Sequence, residues 1–161
     1  MVLDEERVVI RPISPADAGE VLTLQRASFV SEAQIYRDPN TPPLTQTLDQ
    51  LKAELRDTLG FVAVIDNRIV GAIRARELDD VLLVGRIAVA PDQQGRGIGP
   101  RLLATLEEST SCARAELFTG SLSKSNLELY TSLGYRESER IEQDDGTAQI
   151  FMRKTLAPRP R

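Results

Sequence analysis

The chain has 161 residues, 41% hydrophobic and 27% charged, with 20 Lys and Arg against 24 Asp and Glu for a net charge of −4. That length favours one domain with a substantial core, and the acidity gives DNA or RNA no electrostatic foothold while leaving room for a cationic substrate. There is no histidine and a single cysteine, Cys112, which excludes Ser-His-Asp and Cys-His catalysis, an internal disulfide and the soft-ligand zinc sites.

The opening MVLDEERVVIRP puts acids before any long apolar run, unlike a signal peptide. No apolar window is long enough to span a bilayer, so no membrane partner is expected and a cytoplasmic location is the default. Arg7 to Ile13 reads as a first strand. Ser14 can cap a helix whose first turn accepts Pro15, and Val21, Leu22 and the run from Leu24 to Phe29 supply its apolar face. Tyr36 to Pro43 reads as a loop. A second helix begins at Thr45 or Thr47, repeats Leu48, Leu51 and Leu55 at helical spacing, and stops at Gly60. Phe61–Asp66 and Arg68–Glu77 are strands joined by turn chemistry at Asp66-Asn67, and Val81–Ala90 is a third, more apolar strand ended by Pro91. A helix carrying Ile98, Leu102 and Leu106 on one face follows. Cys112 near its end reads as a small buried side chain. Next come a strand at Arg114–Gly120 and a short helix closed by Gly134. Two late strands, RESERIEQ and AQIFMRKTL, join across DDG. These late strands offer an edge for a homodimer, which nothing in them demands.

A helix between two apolar strands implies a parallel crossover, and the three earlier strands with short joints imply antiparallel pairing. The expected fold is α+β, with a mixed, mostly antiparallel sheet between helix layers. One domain covers 1–156, followed by a disordered tail at 157–161.

QQGRGIG (Gln93–Gly99) sits where a strand turns into a helix. Backbone N–H groups and the helix dipole gather there into an anion site, and Gly95, Gly97 and Gly99 carry no side chain to block it. Arg96 and Arg101 add charge at the rim, which points to a pyrophosphate. The spacing G-x-G-x-G misses the dinucleotide fingerprint G-x-G-x-x-G, and no Gly-Lys-Ser/Thr follows as a Walker loop requires. Without a ligand, the glycines read as a tight turn.

VAPDQQGRGIGPRLL resembles the acyl-CoA-binding signature of GNAT-type N-acetyltransferases, Q/R-x-x-G-x-G/A, with Gln94, Gly97 and Gly99 in its defined places. SNLELYTSLGY (Ser125–Tyr135) resembles that family's second signature, and the element order matches across nearly the whole chain. The resemblance implies an acyl-CoA N-acyltransferase fold, with a parallel strand pair that splays apart at the centre. It implies acetyl-CoA as co-substrate, bound by the backbone of Ile87, Ala88 and Val89 along the pantetheine arm and by Gln94, Gly95, Arg96, Gly97, Ile98 and Gly99 around the pyrophosphate. Asn126 would bond near the pantetheine or its phosphate end, or else cap its helix, and Tyr130 would approach the thioester sulfur, or else serve as a half-buried core aromatic.

Acyl transfer to an amine needs a neutral nucleophile, a donor for the oxyanion and a proton for the leaving thiolate. With no histidine to activate Cys112, direct attack in a ternary complex is expected. The Val89 N–H is the candidate oxyanion donor and Tyr130 the candidate acid. Glu77 is the first candidate base and Glu32 the second, while Asp79 and Asp80 read as turn residues. Tyr36, Arg37 and Asp38 are candidate acceptor contacts. If Arg74, Arg76 and Arg86 point into the cleft, they favour an acceptor with a carboxylate. The expected acceptor is a primary amine of a small molecule or peptide. A non-catalytic acyl-CoA sensor or protein-binding module on the same scaffold is the competing expectation.

Overall fold

The computed structural model describes residues 7–157. In chain order it holds β1 (Val9–Pro12), α1 (Ala18–Tyr36), α2 (Pro42–Thr45), α3 (Leu48–Leu55), β2 (Leu59–Ile65), β3 (Arg68–Leu78), β4 (Val81–Val89), α4 (Ile98–Ser109), β5 (Arg114–Gly120), α5 (Lys124–Ser132), β6 (Arg136–Glu142) and β7 (Ala148–Thr155). Apart from Ala157, the expected disordered tail lies outside the described residues. Among those residues, no helix is long and apolar enough to cross a membrane.

Local chemistry sets most boundaries. Thr47 caps α3 through a reciprocal box with Gln50, which satisfies N–H groups that a helix start leaves without partners. Ser14 forms the same kind of box with Asp17, but around a short 3-10 turn (Pro15–Asp17) that leads into α1. Asp17 also takes a two-pronged contact from Arg11, at 2.8 and 2.9 Å. The Arg11 hydrogen bonds, followed by the one from the Ser14 backbone, hold the Asp17 carboxyl below its ordinary range. A carboxyl with a lowered folded pKa stabilises above its unfolded value near 3.9, and that contribution is lost as pH falls through the folded value. Asp17→Ala is therefore expected to cost about 1 kcal/mol at neutral pH, and the gap from the parent should close on acidification; urea midpoints at the two pH values check this.

Two expectations need correction. Gly60 does not stop a helix. It lies within β2, where a side chain would strike Ile13 and the Ile73 carbonyl, so it is a close-approach glycine. Helix α1 also runs on through Tyr36, to a left-handed cap at Arg37, and the proline-bearing link beyond it holds the four-residue α2.

The sheet runs β1-β2-β3-β4-β5-β7-β6. Every neighbouring pair is antiparallel except β4 with β5. Asp66-Asn67 and Asp79-Asp80 all take positive φ, the conformation of two-residue hairpin turns whose twist matches that of the strands. Helix α4 covers one face through buried Ile98, Leu102, Leu103 and Leu106. A Cβ at Gly71 would meet Ile98 and Leu102, so glycine lets α4 settle against β3. Helices α1 and α3 cover the other face with Val21, Leu22, Leu24, Leu51 and Leu55. Cys112 is buried and free, as its sequence context suggests.

A β-bulge lies at the centre of β4. Ile73 faces Ile87 and Ala75 faces Val84, so Gly85 and Arg86 together stand opposite Arg74. An extra residue shifts the side-chain alternation beyond it. Leu83 shares a face with Arg76, and past the bulge Ala88 shares that face with Ala72. The shift turns Arg86 to the α1 side of the sheet.

Candidate active site

The parallel pair is short. β4 and β5 are in register only at Val81–Leu83 with Arg114–Glu116, while β4 continues to Val89 and β5 to Gly120. Beyond Leu83 the strands part, and the β4 edge there is not used by β5. The Ala90 N–H donates to the Val70 carbonyl of β3 at 2.8 Å. Because backbone groups alternate along a strand, Val89 and Ile87 turn theirs toward the opening, and Ala88 turns its own toward β3. Of the three residues expected to bind through their backbone, Ile87 and Val89 present it to the opening and Ala88 presents it to β3.

One stripe of α1 faces this opening. Gln25, Ser28, Glu32 and Tyr36 recur at spacings of three and four, which puts them on one side of a helix. Ser28 Oγ accepts the Val89 N–H at 3.3 Å. Glu32 receives Ser123 Oγ at 2.7 Å and Asn126 Nδ2 at 3.1 Å. The Ser123 proton is committed to Glu32, so Tyr36 donates its own to Ser123 Oγ at 2.7 Å, and the Tyr36 oxygen accepts the Leu122 N–H at 3.2 Å. Tyr36 therefore bolts α1 to the loop after β5 and is not a free acceptor contact. Its ring crosses Gly120, where any Cβ would overlap it. Arg37 and Asp38 are exposed beyond the helix end.

Asn126 sits in the first turn of α5 but does not cap it. Its amide donates to Glu32 and, at 3.4 Å, to Thr119 Oγ1. That fixes the orientation of the amide, since only the NH₂ side can face a carboxylate, and the carbonyl oxygen is left as the acceptor. Tyr130 lies one turn further along, edge-on to Tyr135 with ring centroids 6.2 Å apart. Burial, with a smaller contribution from the Glu32 charge, pushes the Tyr130 phenol up to about 12. Tyr135 is fully buried and donates to Glu107 at 2.7 Å, and it anchors the end of α5.

At the mouth of the opening, Gly95 and Gly97 take φ of +79° and +78°, and Gly97 is the N-cap of α4. Both positions need glycine for the backbone itself. Gly99 does not: its φ is ordinary, and a Cβ would make only van der Waals contact with Val89 and Ile87. It keeps the first turn of α4 bare beside the two opening-facing residues. Gln94 Nε2 reaches back to the Val89 carbonyl at 3.3 Å, and Arg96 donates to Gln93. Ile98 turns into the core at 2% exposure, so only its backbone can serve a ligand.

A family model described as the acetyltransferase (GNAT) domain matches residues 31–156. The chain belongs to the GNAT acetyltransferase family. No curated protein matches its sequence, but solved GNAT-like structures match its fold. The ribosomal-protein-S18-alanine N-acetyltransferase of Escherichia coli is 18% identical with a TM-score of 0.76, covering 96% of this chain and 97% of that one. The PaiA N-acetyltransferase of Thermoplasma acidophilum, solved in complex with coenzyme A, is 17% identical with a TM-score of 0.77, covering 92% and 99%. The smu.2055 protein of Streptococcus mutans UA159 is 22% identical with a TM-score of 0.79, covering 92% and 99%.

Within this GNAT domain, Glu77 stands apart from the opening. It is exposed, stands opposite Leu82 and lies at the closed end of the β4–β5 pair. Seven residues of strand separate Leu82 from Val89, on the order of 20 Å at about 3.3 Å per residue. Glu32 is the carboxylate beside Tyr130 and Asn126. Ser28, Ser123 and Gln25 were missed by the sequence reading. Their partners lie 61, 91 and 49 positions away, so no local pattern could reveal them.

Proposed function

We propose that this protein transfers an acetyl group from acetyl-CoA to a primary amine by direct attack in a ternary complex. The observation that carries this reading is the parting of β4 and β5 after Leu83, which turns the Ile87 and Val89 backbone toward an opening flanked by the glycine loop, α1 and α5. The residues present fit coenzyme A. A bare helix start with two left-handed glycines suits a pyrophosphate, strand-edge amides suit the pantetheine, and the Asn126 carbonyl oxygen suits an amide donor.

Bound acetyl-CoA supplies the acetyl group as an activated thioester. The chain's own groups do the rest. The Val89 N–H, held by Ser28 until a better acceptor arrives, faces the place where negative charge develops. Tyr130 carries the proton for the departing sulfur. Glu32 takes the amine proton, because each of its oxygens keeps a lone pair beyond the one used on Ser123 or Asn126. The acceptor approaches between α1 and β4.

Acetyl-CoA titration by calorimetry, followed by thiol release across an amine panel, tests the reading. Saturable binding with turnover on at least one amine is expected. Binding without transfer to any amine would favour a sensor, and no binding would overturn the assignment. Gly97→Ala should weaken acetyl-CoA binding about tenfold, since a left-handed alanine costs roughly 1–2 kcal/mol and the loop relaxes away from that conformation. Gly99→Ala, without that backbone strain, should weaken it less.

A further inference from the structure

The register separates the arginines of β3 and β4. Arg76 is exposed near the closed end of the sheet. Arg74 and Arg86 stand together at the bulge, on the face covered by α1. Arg74 is only 3% exposed. Its Nε meets Glu54 at 2.7 Å and its Nη1 meets Gln25 Oε1 at 3.2 Å, but its buried Nη2 has no acceptor among the described residues. Arg86 is half-buried, with Nη1 on Gln46 Oε1 at 2.7 Å. Arg26, at the rim, reaches the Gln46 carbonyl at 3.1 Å. Arg74 thus pairs directly with Glu54, while the half-buried Arg86 rests on a neutral partner and feels the same carboxylate only through space. Burial lowers both from their ordinary range, Glu54 is the anion among the described residues that opposes this, and Arg86 worsens it for Arg74. Guanidinium does not give up its proton in proteins, so one positive charge stays uncompensated where compensation matters most.

We propose that the acceptor is an amine that also bears a carboxylate, and that the Arg74–Arg86 pair receives this carboxylate. The inference rests on the acetyl-transfer reading above. A monoanion balances the pair, and a carboxylate matches the fork of donors that guanidinium offers. Spacing on α1 supports the same assignment. Gln25 marks the arginine end, Ser28 the Val89 N–H and Glu32 the Tyr130 end. Seven helical residues separate the outer two, about 10 Å of rise, which fits an amino acid or a short peptide with its amine toward Glu32 and its carboxylate toward Arg86.

The test uses acid and amide pairs differing only in charge. N-acetylglycine, N-acetyl-β-alanine and 4-acetamidobutyrate, with their amides, are titrated into the protein with coenzyme A present. The matching free amines are run in the thiol-release assay. At least one acid should bind about tenfold or more tighter than its amide, as expected of a charge-assisted contact. Arg86→Gln should shrink that preference to about threefold or less. Arg74→Lys keeps the charge for Glu54 but removes the unpartnered Nη2, and should lower the preference too, which serves if Arg86→Gln fails to fold. Equal binding of acids and amides, no saturable binding of any acid, or a preference untouched by both variants would overturn the inference. Transfer to amides and acids alike would also overturn it while leaving acetyl transfer intact. Acid-selective, Arg86-dependent binding with no transfer to any amine would do the reverse.

Discussion

Tyr130→Phe is expected to lower kcat about a hundredfold while the acetyl-CoA Kd stays within about threefold of the parent. The substitution is a clean probe, because among the described residues the Tyr130 hydroxyl forms no hydrogen bond. Removing it leaves no buried partner unsatisfied, and the ring can keep its edge contact with Tyr135, so the melting temperature should barely move. The phenol stays protonated throughout the physiological range, since burial and the Glu32 charge raise it to about 12. That value also constrains how it acts. A thiol has a reference value near 8.5, so full transfer from this phenol to an ordinary thiolate runs uphill by about 3.5 pKa units, or about 5 kcal/mol. Burial that holds the proton on Tyr130 also destabilises a bare thiolate beside it, which narrows the gap. In the proposed mechanism, Tyr130 would therefore donate a hydrogen bond as charge develops on sulfur and release its proton late. Two measurements check this: single-turnover thiol release, and a pH–rate profile with no loss assignable to Tyr130 below about pH 10. An unchanged kcat in the variant would sink the role.

The parts of the fold legible in sequence were those set by neighbours along the chain. Asp66-Asn67 and Asp79-Asp80 announce their turns through tolerance of positive φ, and Gly95 and Gly97 announce a strand-to-helix turn that only glycine makes cheaply. The parallel crossover follows from a helix between two apolar strands. The bulge at Gly85–Arg86 leaves only an isolated strand glycine as its trace, and the side to which it turns Arg86 depends on how β4 meets β3. Without it, Arg86 would sit on the α4 face, away from Arg74. Nothing local in the sequence shows that Glu77 lies at the closed end of the β4–β5 pair. Glu32 gained its place from α1 extending through Tyr36 and from a contact with Asn126 94 positions away. Polar residues in strands and helices read as solvated by default; what distinguishes Gln25, Arg74 and Glu54 is that three separate elements bring them together.

Glu54→Gln should destabilise the fold by about 2–3 kcal/mol. Removing one partner of a buried pair typically costs about 3–5 kcal/mol; here the Glu54 side chain keeps 29% exposure against 4% for Arg74, so water screens part of the loss. Glutamine can still accept from Arg74 Nε, which leaves the missing charge as the main change. For a domain of this size, the melting temperature should fall by about 5–10 °C. The cost arises because Arg74 cannot shed its proton and has Arg86 as its neighbour, so Glu54 is the anion that makes this arrangement tolerable. Arg74→Met alone should also destabilise, by creating a poorly matched apolar group beside Gln25 and Glu54. The double variant Arg74→Met/Glu54→Gln should recover much of the summed loss, because the more deeply buried of the two guanidinium charges is gone. A double-mutant cycle measured by urea unfolding would then give a coupling of about 1–3 kcal/mol. Additive single losses would mean that Glu54 does not compensate Arg74, and that the charge balance at the bulge is set elsewhere.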